Sequence, residues 1–145
     1  THAGVLLVRV VFSLTLLIII VGTVVTGTGP HAGDQAAPRF NFDIRVVTWL
    51  HADLVIALCG AILALYLLLK LAPISTSPEA RANHLKLVKT FIILVLIQGG
   101  IGYLQYFTGV PIILVGLHLL GLCLVWLTAC KLLIRTSSKR DSKLA

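Results

Sequence analysis

The chain has 145 residues, 58% of them hydrophobic and 12% charged, with a mean hydropathy of +1.03. A soluble domain of this size cannot bury so much apolar surface, so the composition excludes an ordinary globular module and assigns the chain to a bilayer. The formal net charge of +7 admits either a nucleic acid or a membrane surface as partner.

Four apolar runs, near residues 5–26, 47–71, 87–107 and 112–134, each approach the ~20 residues that cross a hydrocarbon core of ~30 Å. The first is too long for a signal-peptide core and has no clear small-residue cleavage site, so it reads as a true span. The chain begins at Thr1 and contains no Met, which reads as a processed product or a piece of something longer. The connection after the first span is rich in Gly and Pro. In it Phe40 and Phe42 can dip into the headgroups, and Trp49 suits an aromatic belt. After the second span, "APISTSPEARANH" reads as a polar surface loop. The third span carries "QGGIG" (Gln98–Gly102), and a tight turn leads to the fourth. The expected fold is an all-α membrane protein: a four-helix transmembrane bundle over residues 1–134, followed by a basic cytoplasmic tail at 135–145.

A faint repeat runs through these elements. The first span ends in "TGTGP" and the next carries "LH" (Leu50–His51); the third ends in "TGVP" and the next carries "LH" (Leu117–His118). This reads as two parallel hairpins related by an axis along the membrane normal, with equivalent residues at equal depth. Charge sets the orientation. Arg9, Lys70, Arg81, Lys86, Lys89, Lys131, Arg135, Lys139, Arg140 and Lys143 gather at one side, and only Arg39 and Arg45 at the other. By the positive-inside rule both termini are cytoplasmic, and the basic residues mark topology rather than a nucleic-acid partner. Cys59, Cys123 and Cys130 all fall inside spans and read as small packing residues.

The candidate site is the pair His51 and His118. They fall about four and six residues into spans that enter from the same side, at a depth of ~6–9 Å. An ionisable side chain in a span is costly and faces the bundle interior with a partner. For either histidine alone, a hydrogen bond to a neighbouring helix is the ordinary reading. For the matched pair the reading is a metal between them. A bare zinc or copper ion wants three or four ligands, and no third strong ligand shares the level. A haem iron wants only two axial ligands. Gly116 and Gly121 flank His118 and could let a flat macrocycle approach the backbone, or could simply let helices pack. Arg39 and Arg45 are candidates to pair with haem propionates, or only balance Asp34 and Asp43.

The remaining polar residues take more ordinary readings. His2, His31 and His84 read as solvated, with His31 also able to line the mouth of the site. Asp53 turns about 200° from His51 and reads as lying near headgroups or bonded to a neighbouring helix, with proton handling as the sharper alternative. Gln98, Gln105, Tyr103 and Tyr106 read as ligand contacts or helix–helix glue.

"GTVVTGTGPHAGD" (22–34), "WLHADLV" (49–55) and "GYLQYFTGVPIILVGLHLLG" (102–121) together resemble the C-terminal half of haem A synthase, in the right order and over almost the whole chain. That resemblance implies an eight-helix enzyme of two four-helix halves, which oxidises a methyl group of haem O to the formyl group of haem A for terminal oxidase assembly. It implies that His51 and His118 are axial ligands of a haem b. The implied partners are lipid, the N-terminal half with haem O as substrate, and haem O synthase or a quinol electron donor. Where the family's substrate half has an essential Glu one turn before its first histidine, this chain has Thr48. The resemblance therefore implies an oxidoreductase only in the full-length protein, with this half inactive alone.

The alternative is a non-enzymatic b-type cytochrome subunit passing electrons in the cell membrane, whose mark would be a second histidine pair near the inner face. A haem-free transporter or proton relay would need broken helices and more intramembrane charge. The orientation is tested by labelling cysteines introduced at Ser142 and Gln35. The first should react only from the cytoplasmic side and the second only from the opposite side; the reverse pattern overturns the assignment.

Overall fold

Local capping chemistry starts and stops each element. In the computed structural model, residues 2–30, 36, 38–71 and 77–141 are described, with side chains up to 136. They form α1 (His2–Thr28), α2 (Ile44–Leu71), α3 (Pro78–Phe107) and α4 (Ile112–Asp141). All four helices are long and apolar enough to cross a membrane, making this a multi-pass membrane protein whose surface meets lipid.

Each helix outruns its apolar stretch. α2 starts at Ile44, ahead of the expected 47, because Asp43 Oδ1 accepts the N–H groups of Arg45 (2.8 Å) and Val46 (3.3 Å). α3 starts at Pro78 rather than 87. The Ser77 hydroxyl accepts from Ala80 N–H at 3.3 Å, Pro78 occupies the first turn, and Glu79 complements the helix dipole. Much of the expected polar loop is therefore helix. His84 sits half-buried within α3, its Nδ1 2.7 Å from the Ala80 carbonyl, instead of solvated in a loop. α4 runs on to Asp141, through the first part of the expected tail. The Arg81 guanidinium donates to the Leu69 carbonyl (2.8 Å) and to the Lys70 carbonyl, satisfying the open end of α2 and tying it to α3.

Between α3 and α4, Thr108 N–H donates to the Leu104 carbonyl and Val110 N–H to the Gln105 carbonyl (2.8 Å), closing a Schellman turn. Gly109 takes the left-handed conformation the motif requires (φ 76), and Val110 follows it there (φ 58), a position that costs a branched residue ~1 kcal/mol or more.

The bundle is a ring in chain order. α1 packs on α2 and α4, and α3 packs on α2 and α4; α1 packs most extensively on α2, and α3 on α4. Among the described residues no Cα of α2 comes within 8 Å of α4, and none of α1 within 8 Å of α3. Neighbours are antiparallel, so the α1–α2 connection and the α3–α4 turn share one end, called here the loop end.

Fully buried side chains crowd away from the loop end. They are Val8, Val11, Thr15 and Ile18 of α1, Leu58, Ile62 and Leu65 of α2, Val88, Phe91 and Val95 of α3, and Val125, Thr128, Ala129 and Leu132 of α4. Phe12 and Trp126 join α1 to α4 with ring centroids 5.1 Å apart. Buried hydroxyls are satisfied within their own helices: Thr15 donates to the Val11 carbonyl and Thr128 to the Leu124 carbonyl, each at 2.7 Å. From the core to the loop end, Gly121 is the one buried residue among the described residues of the four helices. Of the cysteines, Cys59 packs against the core, Cys130 is half-buried, and Cys123 is exposed instead of packed. Tyr103 and Tyr106 are exposed at the loop end of α3, the first stacked on Phe107 and the second meeting it edge-on.

Lipid is as apolar as a leucine core, so close packing rather than water exclusion holds such helices together. Phe91→Ala, at a position with no exposure, should cost about 3 kcal/mol in thermal or chemical unfolding in detergent. Phe107→Ala, on the surface, should change stability by no more than about 0.5 kcal/mol.

Candidate functional site

The capped start of α2 changes the depth of His51. Measured from Ile44 and Ile112, both histidines lie about two turns below the loop end, at ~10 Å and ~9 Å at a rise of ~1.5 Å per residue. They sit on α2 and α4, the diagonally opposed helices, whose described Cα atoms stay more than 8 Å apart. Both rings are half-buried, and the two imidazoles lie within electrostatic reach of each other. In each ring Nδ1 is buried and has no hydrogen-bond partner.

Each ring rests against the preceding helix. A Cβ placed on Gly22 of α1 would stand 3.1 Å from His51 Cε1 and 3.5 Å from its Nδ1; a Cβ placed on Gly102 of α3 would stand 3.7 Å from His118 Cε1. The glycines expected from sequence fall elsewhere. Gly116 is exposed, with open space where its Cβ would be. Gly121 is buried, but the Gln98 amide occupies the space its side chain would need. It makes room for Gln98. The Gln98 Oε1 is itself buried and without a partner.

Gly22 and Gly102 were visible in the sequence through a spacing. Gly22 precedes Thr28-Gly29 and Gly102 precedes Thr108-Gly109 by the same interval, a shared G-x5-T-G. The "TG" element marks the helix end, so equal spacing puts both glycines at equal depth.

The two arginines have different roles. Arg39 is half-buried; its Nη2 donates to the Pro30 carbonyl at 3.3 Å, and its Nη1 is buried and unpartnered. Arg45 is exposed on the first turn of α2. Asp43 is engaged with backbone N–H groups as the α2 cap, and among the described residues it forms no ion pair with either arginine. Asp34 and His31 lie outside the described residues. Arg39 is held near the bundle by its neighbour: Phe40 N–H donates to the Gly27 carbonyl (3.0 Å), and the Phe40 ring lies where a Gly27 side chain would be. Asp53 is exposed and forms no hydrogen bond to a neighbouring helix. Thr48 is half-buried, one turn before His51.

This arrangement offers two half-buried imidazoles at one depth on opposed helices. Among the described residues no three His, Cys, Asp or Glu side chains gather around a common point. A group suited to the pair supplies most of its own coordination and needs only two axial donors, which fits a haem. The unpartnered Arg39 nitrogen is a cation available to an anionic substituent. An apolar cleft lined by Cys59, Ile62, Leu63, Ile92, Val95 and Leu96 lies between α2 and α3, about two turns further from the loop end than His51. It has no polar group to orient a ligand.

The contact of Phe40 with Gly27 is testable. A Cβ at position 27 would stand 2.5 Å from Phe40 Cε2. Gly27→Ala should therefore break the Phe40–Gly27 hydrogen bond and raise exchange of the Phe40 amide about five- to tenfold, the loss of about 1 kcal/mol. Unchanged exchange would show that the connection is held elsewhere.

Comparison of the chain with protein-family models, with curated proteins and with solved structures finds no match.

Proposed function

We propose that this chain is the haem b-binding half of a haem A synthase, with His51 and His118 as the axial ligands. The observation that supports this most directly is the pairing of two histidines at one depth on diagonally opposed helices, each with a buried, unpartnered Nδ1. The resemblance of the residues around them to that family supplies the enzyme class.

The chain's own residues divide the work. His51 and His118 bind from opposite sides of the bundle axis. Arg39, with one buried unpartnered nitrogen, would be the cation for the anionic propionates. Thr23, Thr26 and Thr28 direct their hydroxyls to carbonyls of their own helix, which keeps the loop end of α1 free of competing donors. When bound, the haem supplies a one-electron redox centre. Among the described residues no carboxylate stands beside the histidines: Thr48 occupies the turn before His51, and Asp53 is exposed on α2. Proton handling during oxidation of haem O therefore belongs to the other half, and this half binds and relays. The tightly packed core of Phe91, Ile62, Leu65 and Leu132 at the far end has no second histidine pair among the described residues. That weighs against a two-haem electron relay across the membrane.

Purified chain reconstituted with haem should show a sharp Soret band and split visible bands on reduction, at one haem per chain. His51→Ala and His118→Ala should each weaken haem retention, whereas His84→Ala should not. The isolated chain should make no haem A. Folded protein that takes up no haem sinks the reading. Haem A formed by the isolated chain would falsify the division of labour and bring Asp53 forward as the acid.

A further inference from the structure

The two glycines that meet the histidine rings do more than admit them. In a helix the carbonyl of residue i−4 accepts the N–H of residue i, and it keeps a second lone pair. A side chain at residue i partly covers that oxygen; a glycine leaves it open. For Gly22 the carbonyl is that of Ile18, and for Gly102 it is that of Gln98. The His51 ring already lies within backbone hydrogen-bonding reach of Ile18. Its Cε1 and Nδ1 are the atoms nearest Gly22, so the Nδ1 edge is the one turned to α1. At Gly102 the nearest ring atom is Cε1 of His118, with Nδ1 further off. In both rings Nδ1 is buried with its bond unmade, at a cost of about 1–3 kcal/mol if it stays so.

We propose that Gly22 and Gly102 are positioning residues: each opens a backbone carbonyl, Ile18 for His51 and Gln98 for His118, to accept the imidazole Nδ1–H. This fixes the tautomer in which Nε2 carries no proton and is the free donor. A metal-ligating histidine is normally held this way through its other nitrogen. The Gln98 side-chain oxygen, also buried and unpartnered, is the rival acceptor for His118. Its amide lies against Gly121, a turn deeper. Side chains tilt toward the N-terminus of their own helix, and α3 and α4 are antiparallel. His118 therefore leans to the loop end and Gln98 away from it.

The ligand role rests on the haem reading, but the tautomer belongs to the chain alone, so the two are tested separately. The haem-free chain, labelled with nitrogen-15 histidine and held in lipid nanodiscs at a pH where the imidazoles are neutral, reports by nitrogen chemical shift which ring nitrogen bears the proton. The expected result is protonated Nδ1 and bare Nε2 at both His51 and His118. Protonated Nε2 at both rings in the unmodified chain overturns the inference, whether or not haem binds. Gly22→Ala puts a Cβ 3.1 Å from the ring, and should move the His51 proton to Nε2 while leaving His118 unchanged. Gly102→Ala, at an ordinary contact distance of 3.7 Å, should leave His118 as it was, and Gly102→Leu should displace it. Gln98→Leu keeps the backbone carbonyl and should not alter the His118 tautomer; a shift there assigns the acceptor to the side chain and overturns the backbone role at that ring. In the haem-loaded chain, Gly22→Ala should weaken haem affinity about tenfold. A chain that takes up no haem defeats the proposed function and leaves the tautomer result standing.

Discussion

A polar atom in the middle of a bilayer has no water to meet, so its partner must come from the protein or from something the protein holds. The threonines of this chain obey that constraint within single helices, with Thr15, Thr26, Thr28 and Thr128 all donating to carbonyls four residues back. The exceptions gather in one region. Nδ1 of His51, Nδ1 of His118 and Oε1 of Gln98 are buried without partners at or just below the level where packing loosens. The other, Nη1 of Arg39, is in the connection that folds back on Gly27. Among the described residues the unpartnered buried polar atoms thus lie toward the loop end, while the hydroxyls are satisfied locally.

The two ends of the bundle carry different duties. Away from the loop end, Phe91, Ile62, Leu65 and Leu132 fill the axis and hold four helices together by close contact. Toward the loop end the helices are kept in place by their ends instead: Asp43 caps α2, the Gly109 turn joins α3 to α4, and Phe40 is pinned over Gly27. That leaves α2 and α4 apart at the level of the histidines. A planar group ligated from both sides would link the two helices that carry the histidines, whose described Cα atoms stay more than 8 Å apart.

The four spans and the shared depth of His51 and His118 were legible because hydropathy and a rise of ~1.5 Å per residue need no tertiary information. Helix starts were less so, since Asp43 and Ser77-Pro78 act by local hydrogen bonds outside the apolar runs. The choice of glycines was not legible from either helix alone. Gly121 shares a face with His118 on α4, yet what fills its space is Gln98 from α3, and that depends on how α3 is rotated. Only the common G-x5-T-G interval carried the relation between Gly22 and Gly102. Similarly, Arg39 and Arg45 look equivalent as charges. The start of α2 at Ile44 leaves Arg45 exposed on a capped first turn, while Arg39 is half-buried and donates to the Pro30 carbonyl.

The central claim is that two histidines, one from each of two opposed helices, ligate a single iron. Electron–nuclear double resonance on the oxidised haem-loaded chain tests it directly, with nitrogen-15 in the histidines and natural-abundance nitrogen in the porphyrin. Two imidazole nitrogens should couple to the iron, one lost in His51→Ala and the other in His118→Ala. Coupling to a single histidine, to none, or to one that survives both substitutions would contradict the bis-imidazole site.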